Sequence, residues 1–291
     1  MKLRITIDVF SGRPNPVVTL EGPEAEQALK RLRPARKLKP GELRPLPEST
    51  LGYRGLVVEL DEAFRGLPRT FRLANGDLIG PRLQHRPVDE AFEDFVCGST
   101  GPLRRIRPEE PALPEIILQE IERFRRLREA WKPPKIRWPV RVLCRCAPLY
   151  EPAWWNVPAI QPYNNCYNYG TNYRTNTFAQ PGRAAGAQYA SLTCAAVKPA
   201  AVADALIDDP GADNKCPNEG HLVALVVGPG YDYHWFRKGR NGYWSHKPGG
   251  TPVTNLDNSG ATIPDPRTAD RGPYTDFCTF MVVMHGHIRI N

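Results

Sequence analysis

One apolar segment organises the second half of the chain: residues 220–228, GHLVALVVG. A run of Leu, Val and Ala that is headed by His221 is typical of a β-strand. Further strands are predicted at residues 233–238, 243–246 and 277–290, and one or two helices in the Ala-rich stretch 184–206. Because short turns separate the first three strands, we predict an antiparallel sheet.

Cys166 differs from the other six cysteines in its surroundings, residues 164–170, NNCYNYG. A thiol reacts as its thiolate, and a helix N-terminus or a neighbouring imidazole lowers its pKa. The Asn and Tyr residues around Cys166 precede a helix-like stretch, and His221 heads the apolar strand 55 residues later. This order is the one that a thiol hydrolase needs.

A helix that begins near Cys166, followed by an antiparallel sheet that opens with His221, resembles the papain-like cysteine hydrolase superfamily. The compact NlpC-type and CHAP-type branches fit the spacing best, and the resemblance covers roughly residues 150–290. It implies an α+β domain in which Cys166 is the nucleophile and His221 the base. The implied activity is that of a peptidase, amidase or acyltransferase, which forms an acyl-enzyme on a peptide-like or small amide substrate without metal or cofactor.

A third catalytic residue would orient the imidazole, and the NlpC-type pattern places a histidine on the next strand. His234 follows His221 by 13 residues. A tight hairpin at residues 229–230 would set His234 opposite Leu225, on the face that carries His221 but about 13 Å away along the strand. The alternatives therefore stay open: His234 as the base itself, or another orienting residue among Asp232, Asn255 and Asp257.

Five further residues are candidates for substrate binding. Gln180 is placed to donate to an oxyanion, as acyl transfer requires. His246 and Lys247 offer cationic contacts to a substrate carboxylate. Trp155 and Tyr167 belong to a set of aromatic residues around Cys166, which typically wall a core or a cleft.

The first half of the chain predicts an α+β region of its own, without resemblance to a known family. A Pro-rich linker near residues 133–139 suggests a division into domains 1–138 and 139–291. Strands of the first domain are predicted at residues 2–9, 17–20, 55–60 and 70–73, with a hairpin turn at Asn75-Gly76. Helices are predicted at residues 23–33, 88–96 and 113–131.

The net charge of +8 lies entirely in the first half of the chain. Residues 1–146 hold 28 Lys and Arg against 20 Asp and Glu, whereas residues 147–291 hold 11 against 11. Basic runs at residues 30–39 and 123–128 are typical of solvated faces. They also support a competing hypothesis, a non-catalytic interaction protein with a papain-like shell whose basic N-terminal region contacts an acidic partner.

The N-terminus lacks the apolar core of a signal peptide, and no stretch approaches a membrane span. These features predict a cytoplasmic protein with reduced thiols. Six of the seven cysteines could instead pair and leave Cys166 free. A zinc site from Cys194, Cys216, His221 and Cys278 is disfavoured, because no closely spaced cysteine pair anchors it.

Overall fold

The computed structural model of the protein describes residues 1–39, 42, 49–130 and 143–291. Contacts between Cα atoms divide the chain into two compact units. Unit 1 comprises Met1–Val9, Asn15–Pro47 and Gly52–Trp131, and unit 2 comprises Phe10–Pro14, Glu48–Leu51 and Lys132–Asn291. Each unit combines helices with an antiparallel sheet, so the predicted α+β class is confirmed. The predicted boundary between residues 138 and 139 lies outside the described residues.

Unit 1 is built around a seven-stranded sheet in the order β2-β1-β4-β5-β6-β7-β3, and all neighbouring strands are antiparallel. Its described elements are β1 (Lys2–Asp8), β2 (Val17–Glu21), α1 (Gly22–Arg31), β3 (Pro34–Lys37), β4 (Gly55–Leu60), β5 (Thr70–Ala74), β6 (Asp77–Gly80), β7 (Leu83–Pro87), α2 (Phe92–Cys97), α3 (Pro102–Ile106) and α4 (Leu113–Ala130).

The alternation of side chains explains the first strand. Leu3, Ile5 and Ile7 are fully buried, whereas Lys2 and Arg4 between and beside them are exposed. A strand turns successive side chains to opposite faces, so this sequence buries one face and solvates the other.

Helix α1 covers the same part of the sheet, against β1 and β2. It begins with Pro23 and Glu24 in its first turn, where a fixed φ and a negative charge are both favourable. Ala25, Ala28 and Leu29 are buried, at the spacing of one helix face. The short strands β3, β6 and β7 are not predicted from the sequence, because their four or five residues show no sustained alternation of apolar and polar side chains.

Unit 2 is built around a five-stranded antiparallel sheet in the order β11-β10-β9-β12-β8. Its described elements are α5 (Pro152–Trp155), a 3-10 helix (Gln161–Tyr163), α6 (Cys166–Thr171), α7 (Cys194–Ala203), β8 (Ile207–Asp208), β9 (His221–Gly228), β10 (Asp232–Lys238), β11 (Trp244–His246) and β12 (Asp276–Val283). The predicted strand is the central strand β9, and all eight of its residues are buried. Helix α6 packs on β10, and α7 packs on β9 and β12.

Two segments of unit 2 differ from the predicted elements. The last strand ends at Val283 instead of residue 290, because a turn follows in which Gly286 adopts a φ of 80°. In the stretch 184–206, only residues 194–203 form a helix.

Two disulfides cross unit 2. Cys144 pairs with Cys216, and Cys194 pairs with Cys278, over sequence separations of 72 and 84 residues. The expectation of wholly reduced thiols is therefore wrong. Three of the four residues considered as zinc ligands are consumed by these bonds, so the convergent zinc site is not formed.

Three thiols are free: Cys97 and Cys166 are buried, and Cys146 is exposed. The pairing of six cysteines around a single free Cys166 is therefore also wrong. Within the described ranges, no cluster of three or more His, Cys, Asp or Glu side chains is arranged to hold a metal ion. No helix in those ranges is long and apolar enough to cross a membrane.

Candidate functional site

The asparagines around Cys166 form the start of helix α6. The Asn165 side chain accepts hydrogen bonds from the backbone N–H groups of Tyr167 and Asn168, at 3.0 and 3.1 Å. The Asn168 side chain accepts in return from the Asn165 N–H at 3.2 Å, which completes a capping box. The Asn165 amide also donates to the carbonyl oxygen of Ala179 at 2.7 Å. These polar side chains are therefore used to fix the backbone.

Cys166 is the first residue of α6, but its thiol is not accessible. The residue is 0% exposed, and its Sγ lies 4.0 Å from the carbonyl oxygen of Tyr233. It belongs to the apolar core of unit 2 together with Tyr167 and Trp235. Burial, and next the negative charge of Asp232, raise the pKa of the Cys166 thiol well above its usual range. The thiolate that a nucleophile needs is therefore disfavoured.

His221 contacts the opposite end of the same helix. Its Nε2 lies 2.7 Å from the carbonyl oxygen of Gly170, which is about one helical turn, roughly 6 Å, beyond Cys166. No hydrogen bond joins Cys166 Sγ to an imidazole in the part of the chain that the structure describes. Burial lowers the pKa of His221 to about 3, so the ring is neutral. Its contact ties β9 to α6.

The β9–β10 hairpin has a different register from the predicted one. Three residues, 229–231, separate the strands, and His234 pairs with Val226 instead of Leu225. Since side chains alternate along a strand, a shift of one residue moves His234 to the other face of the sheet. Tyr233 and Trp235 take the face that packs on Cys166. His234 is therefore not placed to act on this thiol.

On that other face, His234 and His246 form a buried imidazole pair. His234 Nε2 lies 3.0 Å from His246 Nδ1, and His246 Nε2 lies 2.9 Å from the carbonyl oxygen of Leu256. A carbonyl only accepts, so His246 Nε2 carries the proton and its Nδ1 accepts from His234. Burial lowers the pKa of His246 to about 4. His246 is therefore neutral and enclosed, unlike the cationic substrate contact that was predicted.

None of the other candidates for orienting His221 bonds to its ring within the described residues. Asp257 accepts from the N–H groups of its own turn, at Ser259 and Ala261. The side chain of Asn255 forms no hydrogen bond to His221 within the described residues. The carboxylate of Asp232 accepts from four donors: Ser11 N–H (2.6 Å), Gly12 N–H (3.0 Å), Arg13 N–H (3.1 Å) and Tyr274 O–H (2.7 Å).

Gln180 is buried with both ends of its amide in use. Its Oε1 accepts from the hydroxyls of Tyr189 and Tyr233, at 2.8 and 3.0 Å. Its Nε2 donates to the carbonyl oxygens of Gly12 and Phe178, at 2.8 and 3.0 Å. No donor is left to face a substrate oxyanion.

Three more predicted substrate residues are also interior. Trp155 is fully buried, with its ring centroid 5.1 Å from that of Tyr169. Tyr167 donates to the carboxylate of Asp204 at 2.9 Å. Lys247 is fully buried and donates to three carbonyl oxygens, those of Gln161, Asn164 and Gly249, at 2.6, 2.6 and 2.7 Å. The predicted site is thus a packed interior, in which the Gln180 amide, the Tyr167 hydroxyl and the Lys247 ammonium group have protein partners, whereas the buried His221 Nδ1 has no hydrogen-bond partner.

Among the described residues, exposed cations without an ion pair are more numerous on unit 1 than on unit 2. Nine exposed cationic side chains of unit 1 form no ion pair with any described residue: Lys30, Arg33, Lys37, Lys39, Arg65, Arg69, Arg82, Arg104 and Arg126. In the basic run 123–128, Arg125 pairs with Asp94 at 3.3 Å while its neighbour Arg126 is unpaired. The sequence shows how many cations there are, but it does not show which of them form ion pairs, because carboxylate partners such as Asp94 are distant along the chain.

No family model and no solved structure matches the chain. The resemblance to the papain-like superfamily therefore stays a prediction. The chain is similar to insoluble matrix shell protein 1 of Ruditapes philippinarum, with 51% identity over 140 residues. The matched segment is 47% of this chain and 91% of the relative.

This similarity corrects two predictions. The relative is named as a protein of an insoluble shell matrix, which is a structural material, so the prediction of a cysteine hydrolase or acyltransferase is wrong. A shell matrix lies outside cells, so the cytoplasmic expectation is wrong as well. Because the match is strong and spans nearly all of the relative, this chain belongs to the family of insoluble matrix shell protein 1.

Proposed function

We propose that the protein is a non-catalytic component of an extracellular matrix, in which its basic N-terminal half associates with an acidic partner. The observation that carries this proposal is the 51% identity to an insoluble shell matrix protein. Members of one family at this identity share a fold over the matched segment, and the role named for the relative becomes the first hypothesis for this chain.

The disulfides of unit 2 support an extracellular location of the protein. Disulfides persist in oxidising surroundings and are rare in the reducing cytoplasm. Unit 2 has two of them, Cys144–Cys216 and Cys194–Cys278, which close long stretches of chain. A matrix protein has to keep its fold for long periods, and such cross-links slow its unfolding.

The interior of unit 2 supports a structural role in place of catalysis. The free thiol of Cys166 is enclosed, and His221 and His246 are neutral and bonded to backbone carbonyl oxygens. Buried polar side chains that are hydrogen-bonded to the surrounding backbone favour one well-defined arrangement of a core. Such a network holds a shape and offers no group to a substrate.

The charge distribution supports an acidic partner. The whole excess of +8 belongs to residues 1–146, and exposed cations on unit 1 lack carboxylate partners among the described residues. Unpaired surface cations attract polyanions over a distance of about 10 Å at moderate ionic strength.

Pelleting with an insoluble matrix tests the proposed function. The oxidised protein is mixed with the insoluble organic residue of demineralised bivalve shell at 50 mM salt and centrifuged. We expect most of the protein in the pellet, with release as salt rises toward 1 M, because salt screens exposed charges. Cys166→Ala, checked for folding by circular dichroism, is expected to pellet equally well.

Lysozyme, an unrelated basic protein, serves as the control for charge alone. If the fraction of this protein in the pellet is no greater than that of lysozyme, the matrix role is contradicted. Loss of pelleting in Cys166→Ala, with the fold intact, would contradict the non-catalytic account of unit 2.

A further inference from the structure

Unit 1 carries a pocket of about 260 Å³ whose lining is Lys30, Arg33, Phe64 and Arg65. We name this group of four residues the basic pocket. Three of the four side chains are cations, the fourth is an aromatic ring, and no carboxylate belongs to the lining. Such a lining is complementary to a ligand that combines negative charge with an apolar surface.

Two separate segments of unit 1 place these side chains. Lys30 lies in the last turn of α1, and Arg33 follows two residues after the helix ends. The neighbouring Arg31 is paired with Asp89 at 2.6 Å, so the nearby carboxylate is already engaged. Lys30 and Arg33 have no ion pair within the described residues.

A tight turn between β4 and β5 supplies the other half of the basic pocket. The N–H of Leu67 donates to the carbonyl oxygen of Phe64 at 2.8 Å, and Arg65 and Gly66 between them have φ values of 37° and 87°. A two-residue turn of this kind between antiparallel partners requires positive φ at both central residues, so this turn fixes the backbone of Arg65 next to Phe64. The Arg65 Cζ lies 5.4 Å from the centroid of the Phe64 ring.

Three cations that converge without a counterion repel one another, and a bound anion relieves this repulsion. Guanidinium groups pair with carboxylate and sulfate oxygens through two parallel hydrogen bonds, and a lysine adds a compact charge. The pocket is smaller than the roughly 300–1,000 Å³ of a typical site for a whole small molecule. Its size fits one acidic unit of a polymer.

The Phe64 ring distinguishes between acidic polymers. A sugar ring presents a flat face of C–H groups, which packs on an aromatic face while its acidic substituent points to the cations. An acidic side chain of a polypeptide is a carboxylate on a short stem and has no such face. The lining therefore favours an acidic sugar over an acidic peptide.

We infer that the basic pocket binds an acidic sugar unit, a uronate or a sulfated sugar, of a matrix polysaccharide; this inference rests on the proposed function and names its partner. Arg33, Arg65 and Lys30 bind the anionic group, and Phe64 packs against the ring. A single occupied pocket binds weakly, and copies of the protein that are linked in an insoluble matrix bind one polysaccharide chain with avidity, because linkage makes each further binding event intramolecular.

The test compares two triple variants that remove the same charge. The pocket variant is Lys30→Gln/Arg33→Gln/Arg65→Gln. The control variant is Lys37→Gln/Arg82→Gln/Arg126→Gln, at exposed and unpaired cations of unit 1 outside the lining. Binding to chondroitin sulfate is measured by titration at 50 mM salt, and thermal unfolding confirms that both variants are folded.

We expect the pocket variant to bind at least about tenfold more weakly than the wild type, and the control variant at most about threefold, since each exposed charge pair is modest. Equal losses in the two variants, or no binding of chondroitin sulfate by the wild type, would overturn the inference. The proposed function would still stand in either case if the wild type pellets with the insoluble matrix, so the two failures are distinguishable.

Poly-aspartate and Phe64→Leu identify the class of polymer. Phe64→Leu keeps an apolar side chain but removes the flat ring, so it is expected to weaken binding of chondroitin sulfate and to leave binding of poly-aspartate unchanged. Equal binding of both polymers, with no effect of Phe64→Leu on either, would exclude the acidic sugar and favour an acidic peptide.

Discussion

The three free thiols differ in their access to solvent. Cys97 and Cys166 are both 0% exposed, whereas Cys146 is exposed, with its Sγ 3.4 Å from the carbonyl oxygen of Asn218. Burial raises the pKa of the thiols of Cys97 and Cys166, and the carboxylates of Glu93 and Asp232, respectively, raise it further. Reactivity toward alkylating agents follows exposure and thiolate content.

Alkylation of the folded protein is therefore expected at one position. Iodoacetamide at pH 8, applied to the oxidised protein, should label Cys146 at least about ten times faster than Cys97 or Cys166, which react only when the structure opens. A time course read by peptide mass spectrometry measures the three rates. Cys146→Ser should have no rapidly labelled thiol. Labelling of Cys166 as fast as that of Cys146 would show that the thiol is accessible after all.

At the scale of elements, one carboxylate joins three strands of unit 1. Asp8, at the end of β1, accepts from Arg54 next to β4 at 2.7 Å and from Arg72 in β5 at 2.9 Å. Burial alone would raise the pKa of Asp8, but the charges of Arg54 and Arg72 outweigh it and lower the pKa from 3.8 to about 2. The group is thus ionised in the folded state. The ionised Asp8 carboxylate stabilises the folded state above pH 3.8, and this stabilisation is lost as the pH falls through about 2.

Asp8→Asn is expected to destabilise the protein by about 3–5 kcal/mol at pH 7, because Arg54, only 2% exposed, loses its counterion in a buried position. The wild type should lose about 2 kcal/mol between pH 5 and pH 2 from this group, and the variant should lack this part of the pH dependence. Urea unfolding at several pH values, followed by hydrogen exchange of the β1 amides, measures both effects.

Glu59→Gln provides the matched control for this change. Glu59 forms an exposed ion pair with Arg4 on the same sheet, and exposed pairs contribute only about 0–1 kcal/mol. Equal effects of the two substitutions would mean that Asp8 is no more important than a surface charge.

At the scale of the whole molecule, the covalent cross-links are unevenly distributed. Both disulfides lie in unit 2, and Cys97 is the only cysteine of unit 1. A disulfide stabilises mainly by restricting the unfolded chain, and the restriction grows with the length of chain that it closes. The two separations of 72 and 84 residues are both long, so each disulfide strongly restricts the unfolded chain of unit 2.

Reduction is therefore expected to destabilise unit 2 selectively. Each bond should contribute about 2–4 kcal/mol, so a phosphine reductant should increase hydrogen exchange in β9 and β12 far more than in β1 and β4. Cys194→Ser/Cys278→Ser should reproduce part of this effect without reductant. Uniform changes in both units, or no change in β9, would contradict the assignment of the cross-links.

Local pattern alone was enough for the α+β class, for strands β1, β4, β5, β9 and β10, and for the Asn75-Gly76 turn, where Ala74 pairs with Asp77. These features depend on residues that are close along the chain: an alternation of period two, a Val-rich run, or two residues that tolerate positive φ. Helix α1 follows for the same reason, from Pro23, Glu24 and the spacing of its buried face.

Only the folded arrangement decided whether Cys166 is an active thiol or a core residue. Its polar neighbours predict exposure, but the folded chain uses their amides to cap α6 and covers the sulfur with Tyr167 and Trp235. A hairpin longer by one residue puts His234 on the other face of the sheet, and distant residues supply the cysteine partners and the four donors to Asp232. Such contacts join segments tens to hundreds of residues apart, so no local pattern encodes them.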